Sequence, residues 1–462
     1  MDNYQKDGDI IQQKQHSLLN RAKEASDMLK KHINNGNVIR IISHNDADGI
    51  SAAGLMAKAI KEEEGQFHTT LLSRLKAEDI NSLHHENYEL FIFCDMGSAC
   101  IKQINSLKGD VIIADHHQPS DVEPKENIIH INPHLFEIDG SKDLSGAGSS
   151  YLVVRALDKK HLAYLALVGA FGDMQCQEGF TGVNKLIYDD AIESGTLEVN
   201  EGLKIASKNS EPLYKSLAYS FNPPLTGLTG DLESSQELLE KMTLSYGIKF
   251  TDLEGEEQDV LKDELIKINP DIFSNVYILP NEVPLLRDLE DFSDILDACG
   301  KNKKYGLGLS IALGEREKAL VAADDLRKQY RNHLVKGLQW IKREGSVELE
   351  NIQYLYSEDK IIKKVMGTII SVAMSIKLIS SDKPVIGMSR LHNDIKISGR
   401  ATRPLVNKGV NLGKALQDSS SNFSGQGGGH DIAAGAMIPF NSKDNFLHLL
   451  DEMVGVQVGN ND

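Results

Sequence analysis

Acidic residues and histidines occur in this sequence at three points, each directly after a short apolar run. His44, Asp46 and Asp48 follow residues 38–43, Asp95 follows residues 89–94, and Asp115, His116 and His117 follow residues 110–114. Short apolar, β-branched runs of this kind are typical of buried strands. The carboxyl ends of neighbouring parallel strands meet at one edge of a sheet. We therefore expect these side chains to lie close together, although they are far apart in the sequence.

Such a cluster indicates a divalent metal site. Carboxylates a few ångströms apart raise one another's pKa steeply unless a cation neutralises them. Carboxylate and imidazole ligands without thiolate suit Mn, Mg, Fe or Zn, and the excess of oxygen ligands favours Mn or Mg. Asp173, after the small-residue run 169–172, adds a further carboxylate. Six or more ligands indicate two ions, which together can activate water and clamp the oxygens of a phosphoryl displacement. Phosphate ester hydrolysis is the leading chemistry; capping aspartates and a core histidine are the structural alternative.

The elements that must position these residues alternate between strands and helices. Apolar runs recur at residues 38–43, 68–72, 89–94, 110–114 and 128–131, with helix-compatible segments between the earlier ones. This alternation predicts an α/β fold whose parallel sheet carries helices on both faces. We predict an N-terminal helix over residues 1–37, the parallel-sheet domain over 38–230, a mainly helical connector or insertion over 231–345 and a smaller α/β domain over 346–462.

Length and composition narrow the class of protein. A chain of 462 residues exceeds the usual size of one domain and excludes a small disulfide scaffold. The net charge of −17 disfavours indiscriminate adhesion to nucleic acid or to an anionic membrane. The four cysteines form no C-x-x-C pair, and the most apolar stretch, residues 162–172, is shorter than a membrane-spanning helix needs. We expect a soluble cytoplasmic protein with no membrane association, in which any site for a polyanion is local.

One segment near the C-terminus has the opposite charge. Residues 383–414 contain seven basic residues and one acidic residue, Asp394. Shortly after this segment, Gly427, Gly428 and Gly429 form a predicted turn that can present consecutive backbone N–H groups to an anion, and His430 adds a side-chain donor. A flexible loop is the alternative reading of the three glycines. Contacts of this kind hold a phosphate backbone without reading bases, which predicts sequence-tolerant binding that weakens with salt.

The motif set resembles a known family. HNDADG at 44–49, CDMG at 94–97, DHH at 115–117 and GAFGD at 169–173 are similar to the four motifs of the DHH phosphoesterase superfamily. SGRATRP at 398–404 and GQGGGHDIAAGA at 425–436 resemble its DHHA1 companion domain. The SGAG segment at 145–148, the NPPL loop at 222–225 and His44 in the first motif resemble the archaeal RecJ-like exonucleases known as GINS-associated nucleases.

The resemblance implies a role for each matching residue. His44, Asp46 and Asp95 would hold one metal ion; Asp48, Asp95, His116 and Asp173 would hold the other, so that Asp95 bridges the two. His117 would face the substrate phosphate as a hydrogen-bond donor or leaving-group acid, and Asp115 would orient the neighbouring histidines. Substrate would be bound by Ser398, Arg400, Arg403, Gly427, Gly428, Gly429 and His430. Mn²⁺ would be the preferred metal, with Mg²⁺ as the alternative, and GINS and the MCM helicase would be partners.

These observations predict an exonuclease that hydrolyses phosphodiester bonds of single-stranded DNA or RNA to mononucleotides in DNA replication or repair. A 5′-to-3′ direction is implied by the RecJ resemblance alone. Two alternatives remain: a phosphoesterase of the same superfamily that acts on oligonucleotides or small molecules, and a catalytically silent replication scaffold. The long segment 231–345 disfavours the first. The intact carboxylate cluster disfavours the second, because a scaffold has no physical reason to retain it.

Overall fold

The computed structural model describes residues 2–177, 179–362 and 364–459, with side chains from residue 13 onward. The chain divides into two compact units, one formed by Met1–Gly202 and Asn275–Lys328 and the other by Leu203–Ser274 and Gln329–Asp462. In chain order the elements are α1 (Asp2–Asn34), β1 (Val38–His44), α2 (Ala47–Glu62), β2 (Gln66–Leu72), α3 (Ala77–Leu83), β3 (Leu90–Cys94), α4 (Ile101–Ile104), β4 (Asp110–Ala114), β5 (Ile128–Ile131), α5 (Gly146–Arg155), α6 (Ala163–Gly172), α7 (Gly182–Glu193), β6 (Glu198–Leu203), α8 (Leu213–Ala218), α9 (Leu232–Lys241), α10 (Gly255–Ile268), β7 (Phe273–Ile278), α11 (Leu289–Lys301), α12 (Tyr305–Ala312), α13 (Lys318–Glu344), β8 (Val347–Glu348), β9 (Gln353–Tyr356), α14 (Met366–Ser375), β10 (Val385–Leu391), β11 (Asp394–Arg400), α15 (Arg403–Asn407), α16 (Leu412–Ser421), β12 (Gln426–Gly429), β13 (Ala433–Pro439) and α17 (Lys443–Gly459).

The first unit is built on a five-stranded parallel sheet in the order β2-β1-β3-β4-β5. Every residue of β3 is buried, as is β4 after its first residue. Continuous apolar strands of this kind are expected where helices cover both faces of a parallel sheet. The predicted α/β fold, with a parallel-sheet domain followed by a smaller α/β domain, is confirmed.

A segment distant in sequence completes the first unit. Helices α11 and α12 pack against α2, the helix that follows β1. The approach is close: the Asn45 side chain donates to the carbonyl of Gly300 at 3.3 Å, and a Cβ added at Gly300 would lie 2.9 Å from the Asn45 carbonyl carbon. The predicted connector therefore contributes to both units, residues 275–328 to the first and residues 231–274 and 329–345 to the second.

The second unit contains a six-stranded mixed sheet in the order β12-β13-β11-β10-β9-β8. Side chains alternate along β11, with Ile395 and Ile397 in the core that α16 and α17 share. Helix α14 contacts β10 and β11 and forms a second core with α13. Helices α8, α9 and α10 surround a separate small core that includes Leu217, Leu239 and Leu261.

None of the helices in the described parts of the chain combines the length and apolarity needed to cross a membrane.

Candidate functional site

The sheet of the first unit aligns the ends of three strands. In register, Ser43 of β1 lies beside Cys94 of β3, and Cys94 lies beside Ala114 of β4. The residues that come next, His44, Asp95 and Asp115, therefore share one edge of the sheet. The ladder continues past the strands, because the Asp95 N–H donates to the Ala114 carbonyl at 2.8 Å.

The turn after β1 fixes two carboxylates. Asp46 caps the N-terminus of α2 and accepts a hydrogen bond from the Gly49 N–H at 3.0 Å. Only glycine fits at position 49, because an added Cβ would lie 2.6 Å from the His44 Cβ. Asp48, which is 1% exposed, accepts hydrogen bonds from the N–H groups of Gly146 and Ala147 at 2.7 and 3.0 Å. These two groups lie in the first turn of α5, where unpaired N–H groups favour an anion.

Asp95 lies between two sets of side chains. Its Oδ2 is 3.5 Å from His44 Nδ1, which is 2.8 Å from Asp46 Oδ2. Its Oδ1 is 3.3 Å from His116 Nε2 and 3.8 Å from His117 Nδ1. The backbone of Asp95 has a φ of 54°, a left-handed conformation that non-glycine residues adopt at a cost of about 1–3 kcal/mol. The chain tolerates this cost at the residue common to both sets.

The second set surrounds His116. Its Nε2 is 3.2 Å from Asp173 Oδ2 and 3.9 Å from Asp48 Oδ2. Asp173 directly follows α6, which packs on α2 and α5 and so carries this carboxylate to the strand ends. Three groups of residues can each offer ligand atoms that lie within 4.8 Å of one another: His44 with Asp46 and Asp95, Asp48 with His116 and Asp173, and Asp95 with His116 and His117.

Burial and neighbouring charges shift the protonation of this cluster. Burial raises the pKa of Asp173 to about 6, and the nearby Asp95 carboxylate adds to the increase. The pKa of Asp48 is raised well above its usual range by burial and by the charges of Asp95 and Asp173. Burial lowers the pKa of His44 and His116, but the surrounding aspartate carboxylates outweigh it and raise the pKa of both to about 11. Without a cation, protons therefore balance part of the negative charge.

Two buried atoms of the cluster have no hydrogen-bond partner. They are His44 Nδ1, whose geometry toward Asp46 is unsuitable for a hydrogen bond despite the short distance, and Asp95 Oδ1. Enclosed polar atoms are almost always paired in folded proteins. A basic nitrogen and a carboxylate oxygen without partners, next to three further carboxylates, fit a divalent cation.

Asp115 and His117 have a different environment. Asp115, 1% exposed, accepts hydrogen bonds from His117 Nδ1 at 2.8 Å, from the backbone N–H of His116 at 2.8 Å and from that of Ser98 at 2.9 Å. The hydrogen bond with His117 outweighs burial and holds the pKa of Asp115 below its usual range. The same bond raises the pKa of His117, whose side chain is 56% exposed. Asp115 thus fixes an accessible, readily protonated imidazole beside the cluster.

The predicted substrate-binding residues lie in the second unit. Ser398 of β11 pairs with Gly387 of β10 and with Gly435 of β13, and Gly435 pairs with Gly428 of β12. Directly opposed residues of antiparallel strands project to the same face, so three glycines and one serine form a row across four strands. At Gly428 an added Cβ would meet nothing within 4 Å, so this end of the row is open.

Arg400 and Arg403 flank this region with different partners. Arg400 Nε donates to Ser371 Oγ of α14 at 3.1 Å, and burial lowers the pKa of its guanidinium. Arg403, with a 71% exposed side chain, lies 3.6 Å from the Asp431 carboxylate. The backbone N–H of His430 donates to the Ala433 carbonyl at 2.9 Å.

The three glycines form a strand, so the turn expected for Gly427, Gly428 and Gly429 is wrong. They belong to β12, at the edge of the sheet and paired with β13. Successive N–H groups of a strand point to opposite sides, so the three donors do not converge on one anion. Two of the glycines serve packing: a Cβ at Gly427 would lie 2.5 Å from the Leu416 carbonyl oxygen of α16, and one at Gly429 would lie 2.6 Å from the Ala434 Cα.

Some groups around the cluster were not predicted from the sequence. The Gly140 carbonyl lies 2.7 Å from His116 Nδ1, and Gln175 Nε2 donates to the same oxygen at 3.0 Å. Asn132 Nδ2 donates to the His117 carbonyl and to Ser98 Oγ, at 2.8 Å in each case. The Asn-Pro pair at 132–133, directly after β5, was the one signal that could have indicated a fixed turn there.

Two known protein families match this chain, one over the metal-site region of the first unit and one over the mixed sheet of the second unit. The family described as "DHH family, N-terminal domain" matches residues 38–170, which contain all the clustered residues except Asp173. The family described as "DHHA1 domain" matches residues 351–455, which contain the row of glycines.

Curated proteins with similar sequences align with nearly all of the chain or with a third of it. An uncharacterized protein of Methanocaldococcus jannaschii is 32% identical over 454 residues, covering 96% of this chain and 100% of the relative. The single-stranded-DNA-specific exonuclease RecJ of Bacillus subtilis is 27% identical over 164 residues, covering 33% of this chain and 21% of that protein. RecJ of Thermus thermophilus is 26% identical over 170 residues, covering 33% and 25%.

Solved structures share the fold along most of the chain. Exonuclease RecJ bound to manganese superposes with a TM-score of 0.59 at 17% identity, covering 94% of both chains. CDC45 from Entamoeba histolytica superposes with a TM-score of 0.66 at 10% identity, covering 95% of this chain and 99% of that one. With a DHH domain, a following DHHA1 domain and a full-length relative at 32% identity, this chain belongs to the RecJ-like proteins of the DHH/DHHA1 superfamily.

Proposed function

We propose that this protein is a metal-dependent exonuclease that hydrolyses phosphodiester bonds of single-stranded nucleic acid and releases mononucleotides. The observation that carries the proposal is the position of Asp95, whose two oxygens face different sets of ligating side chains. A carboxylate shared in this way suits two ions of a binuclear centre. Family membership and the superposition on RecJ support the same class of chemistry.

The donor sets suggest which residues hold each ion. His44, Asp46 and Asp95 would hold the first, and Asp48, Asp95, His116 and Asp173 the second. The predominance of oxygen donors favours Mn²⁺, with Mg²⁺ as the alternative. When bound, such ions supply an activated water and neutralise charge on the phosphoryl oxygens. The unpartnered His44 Nδ1 and Asp95 Oδ1 support this assignment.

His117 and Asp115 would assist the reaction directly. Asp115 accepts a hydrogen bond from His117 Nδ1 and so fixes the ring, and the same bond raises the pKa of His117, which favours the protonated imidazole. A protonated and accessible imidazole can donate a hydrogen bond to a phosphate oxygen or a proton to the leaving oxygen. Asp115 acts on this step only by positioning the ring.

The second unit would bind the strand by its backbone. Ser398, Arg400, Arg403 and His430 offer polar or charged groups. The Gly428 end of the glycine row leaves the sheet surface free of side chains, whereas Met366 and Ile370 of α14 cover the Gly387 end. In place of an anion site formed by the three glycines, we propose that the nucleic-acid strand lies over the open Gly428 end of this row, with the Arg400 guanidinium as its phosphate contact. Binding would be tolerant of sequence and sensitive to salt.

Finer features of the function rest on the resemblance to the GINS-associated nucleases. They are a 5′-to-3′ direction, association with GINS and the MCM helicase, and a role in DNA replication or repair. Pull-down of purified GINS and MCM with this chain as bait tests the association. Binding of neither partner would remove that part of the proposal and leave the hydrolytic reaction untouched.

Digestion of end-labelled DNA and RNA strands of about 5 and 40 nucleotides, single-stranded and duplex, tests the central reaction. Each strand is incubated with Mn²⁺, Mg²⁺ or EDTA. We expect stepwise Mn²⁺-dependent shortening of the single strands and resistance of the duplex, with the label position reporting the direction. Cleavage confined to the short strands would instead indicate an oligonucleotide phosphoesterase. Absence of all cleavage despite bound metal would indicate a silent scaffold.

A further inference from the structure

A buried chain of hydrogen bonds lies directly behind His116. His116 Nδ1 is 2.7 Å from the carbonyl oxygen of Gly140. A carbonyl oxygen only accepts hydrogen bonds, so Nδ1 carries the proton and the lone pair of the neutral ring is on Nε2. Nε2 is the nitrogen that lies 3.3 Å from Asp95 and 3.2 Å from Asp173. The carbonyl thus selects the tautomer that can bind a cation within the cluster.

The Gly140 carbonyl is itself held in place. Gln175 Nε2 donates to it at 3.0 Å, and Gln175 Oε1 accepts a hydrogen bond from Asn184 Nδ2 at 2.7 Å. Gln175 is 5% exposed and Asn184 is fully buried. The Asn184 backbone N–H donates to the Asp143 carbonyl at 2.8 Å, which anchors the far end of the chain. Since Asn184 presents a donor to Oε1, the Gln175 amide must present its own donor to Gly140.

Glycine at position 140 permits this arrangement. An added Cβ would overlap the backbone oxygen of His116 and lie 2.8 Å from His134 Nε2. The loop that carries Gly140 can therefore approach residues 115–117 only without a side chain at position 140. The backbone dihedral angles at Gly140 set the direction of this carbonyl, and the hydrogen bond from Gln175 restrains it.

We propose that Gln175, oriented by Asn184, is a positioning residue that fixes the Gly140 carbonyl and, through it, the metal-binding tautomer and angle of His116. The inference rests on the proposed metal-dependent function. Partners one hydrogen bond behind a ligating histidine typically change metal affinity 10- to 100-fold when removed, and Gln175 acts one hydrogen bond further back, through the Gly140 carbonyl. Among the described residues, the Gln175 side-chain amide makes only these two hydrogen bonds, to Gly140 and from Asn184.

The test compares Gln175→Met with Gln353→Met. Gln353 in β9 is a matched control: it is 1% exposed, its Nε2 donates to the Ser380 carbonyl at 2.8 Å and its Oε1 accepts from Ser346 at 2.8 Å. Mn²⁺ binding to each full-length variant is followed by EPR of the free ion, and thermal unfolding is measured without metal. We expect Gln175→Met to bind Mn²⁺ 10- to 100-fold more weakly, and Gln353→Met to bind it as the wild type does, with similar losses of thermal stability in both.

A second set of measurements separates positioning from structural damage. With Gln175→Met, saturating Mn²⁺ should restore strand cleavage, leaving KM for the strand unchanged and raising only the Mn²⁺ concentration needed for half-maximal rate. Gln175→Glu keeps the acceptor for Asn184 and removes the donor to Gly140, so it should weaken Mn²⁺ binding in the same way if the Met variant does not fold. Affinity within twofold of wild type in a folded Gln175 variant overturns the inference. Wild-type protein that binds Mn²⁺ but cuts no strand overturns the proposed function instead.

Discussion

Replacing Asp95 with asparagine should disable both parts of the cluster at once. The change preserves the shape of the side chain and removes one negative charge. The Asp95 oxygens lie 3.3 Å from His116 Nε2 and 3.5 Å from His44 Nδ1. At about 4 Å, two unit charges attract by about 4 kcal/mol when the effective dielectric constant is about 20. Mn²⁺ carries two unit charges, so loss of the carboxylate charge should weaken its affinity by at least about 1000-fold, since about 1.4 kcal/mol changes a binding constant tenfold.

The assay is Mn²⁺ titration followed by EPR, together with digestion of a labelled single strand. We expect wild-type protein to bind two ions and Asp95→Asn to bind at most one in the same concentration range, with cleavage reduced at least 100-fold. Asp110→Asn is the matched control, because Asp110 also pairs with a histidine, His32 at 2.9 Å, but begins β4 at the opposite end from the cluster. Two ions bound by Asp95→Asn within threefold of the wild-type affinity would refute the shared-carboxylate argument.

Three further results are expected. His44 and His116, whose pKa is raised to about 11 without metal, must each lose a proton to ligate, so Mn²⁺ binding should release at least two protons at pH 7.5 and strengthen as pH rises; calorimetric heats independent of the buffer would contradict this. Gly146→Ala would place a Cβ 2.5 Å from the Asp95 Cβ and should lower Mn²⁺ affinity at least tenfold in the EPR titration, whereas Gly306→Ala, where an added Cβ meets nothing within 4 Å, should not. Arg400→Gln should weaken single-strand binding in fluorescence anisotropy for every sequence and reduce the slope of log affinity against log salt by about 0.7, with no such change for an exposed arginine of α13.

The parts of the fold that carry continuous apolar runs were predictable from the sequence. β4 and β5 occupy the predicted residues 110–114 and 128–131, because strands covered on both faces need uninterrupted apolar side chains. The convergence of His44, Asp95 and Asp115 followed from one rule about parallel sheets, applied to their positions after these strands.

Other features depend on contacts that residue types do not encode. The Gly140 carbonyl is a backbone group, and no residue letter distinguishes it from any other carbonyl. The Gly427–Gly429 segment is compatible with both turn and strand, and pairing with β13 decides between them. Helices α11 and α12 have apolar faces, but their sequences do not specify α2 as the element they cover.

Anomalous diffraction at the manganese edge, from crystals grown with Mn²⁺, tests the central claim most directly. We predict two peaks at the ends of β1, β3 and β4, one in contact with His44 and Asp46 and the other with Asp48, His116 and Asp173, both in contact with Asp95. A single peak, or peaks that leave Asp95 without contact to metal, would contradict the binuclear centre on which the proposed hydrolysis depends.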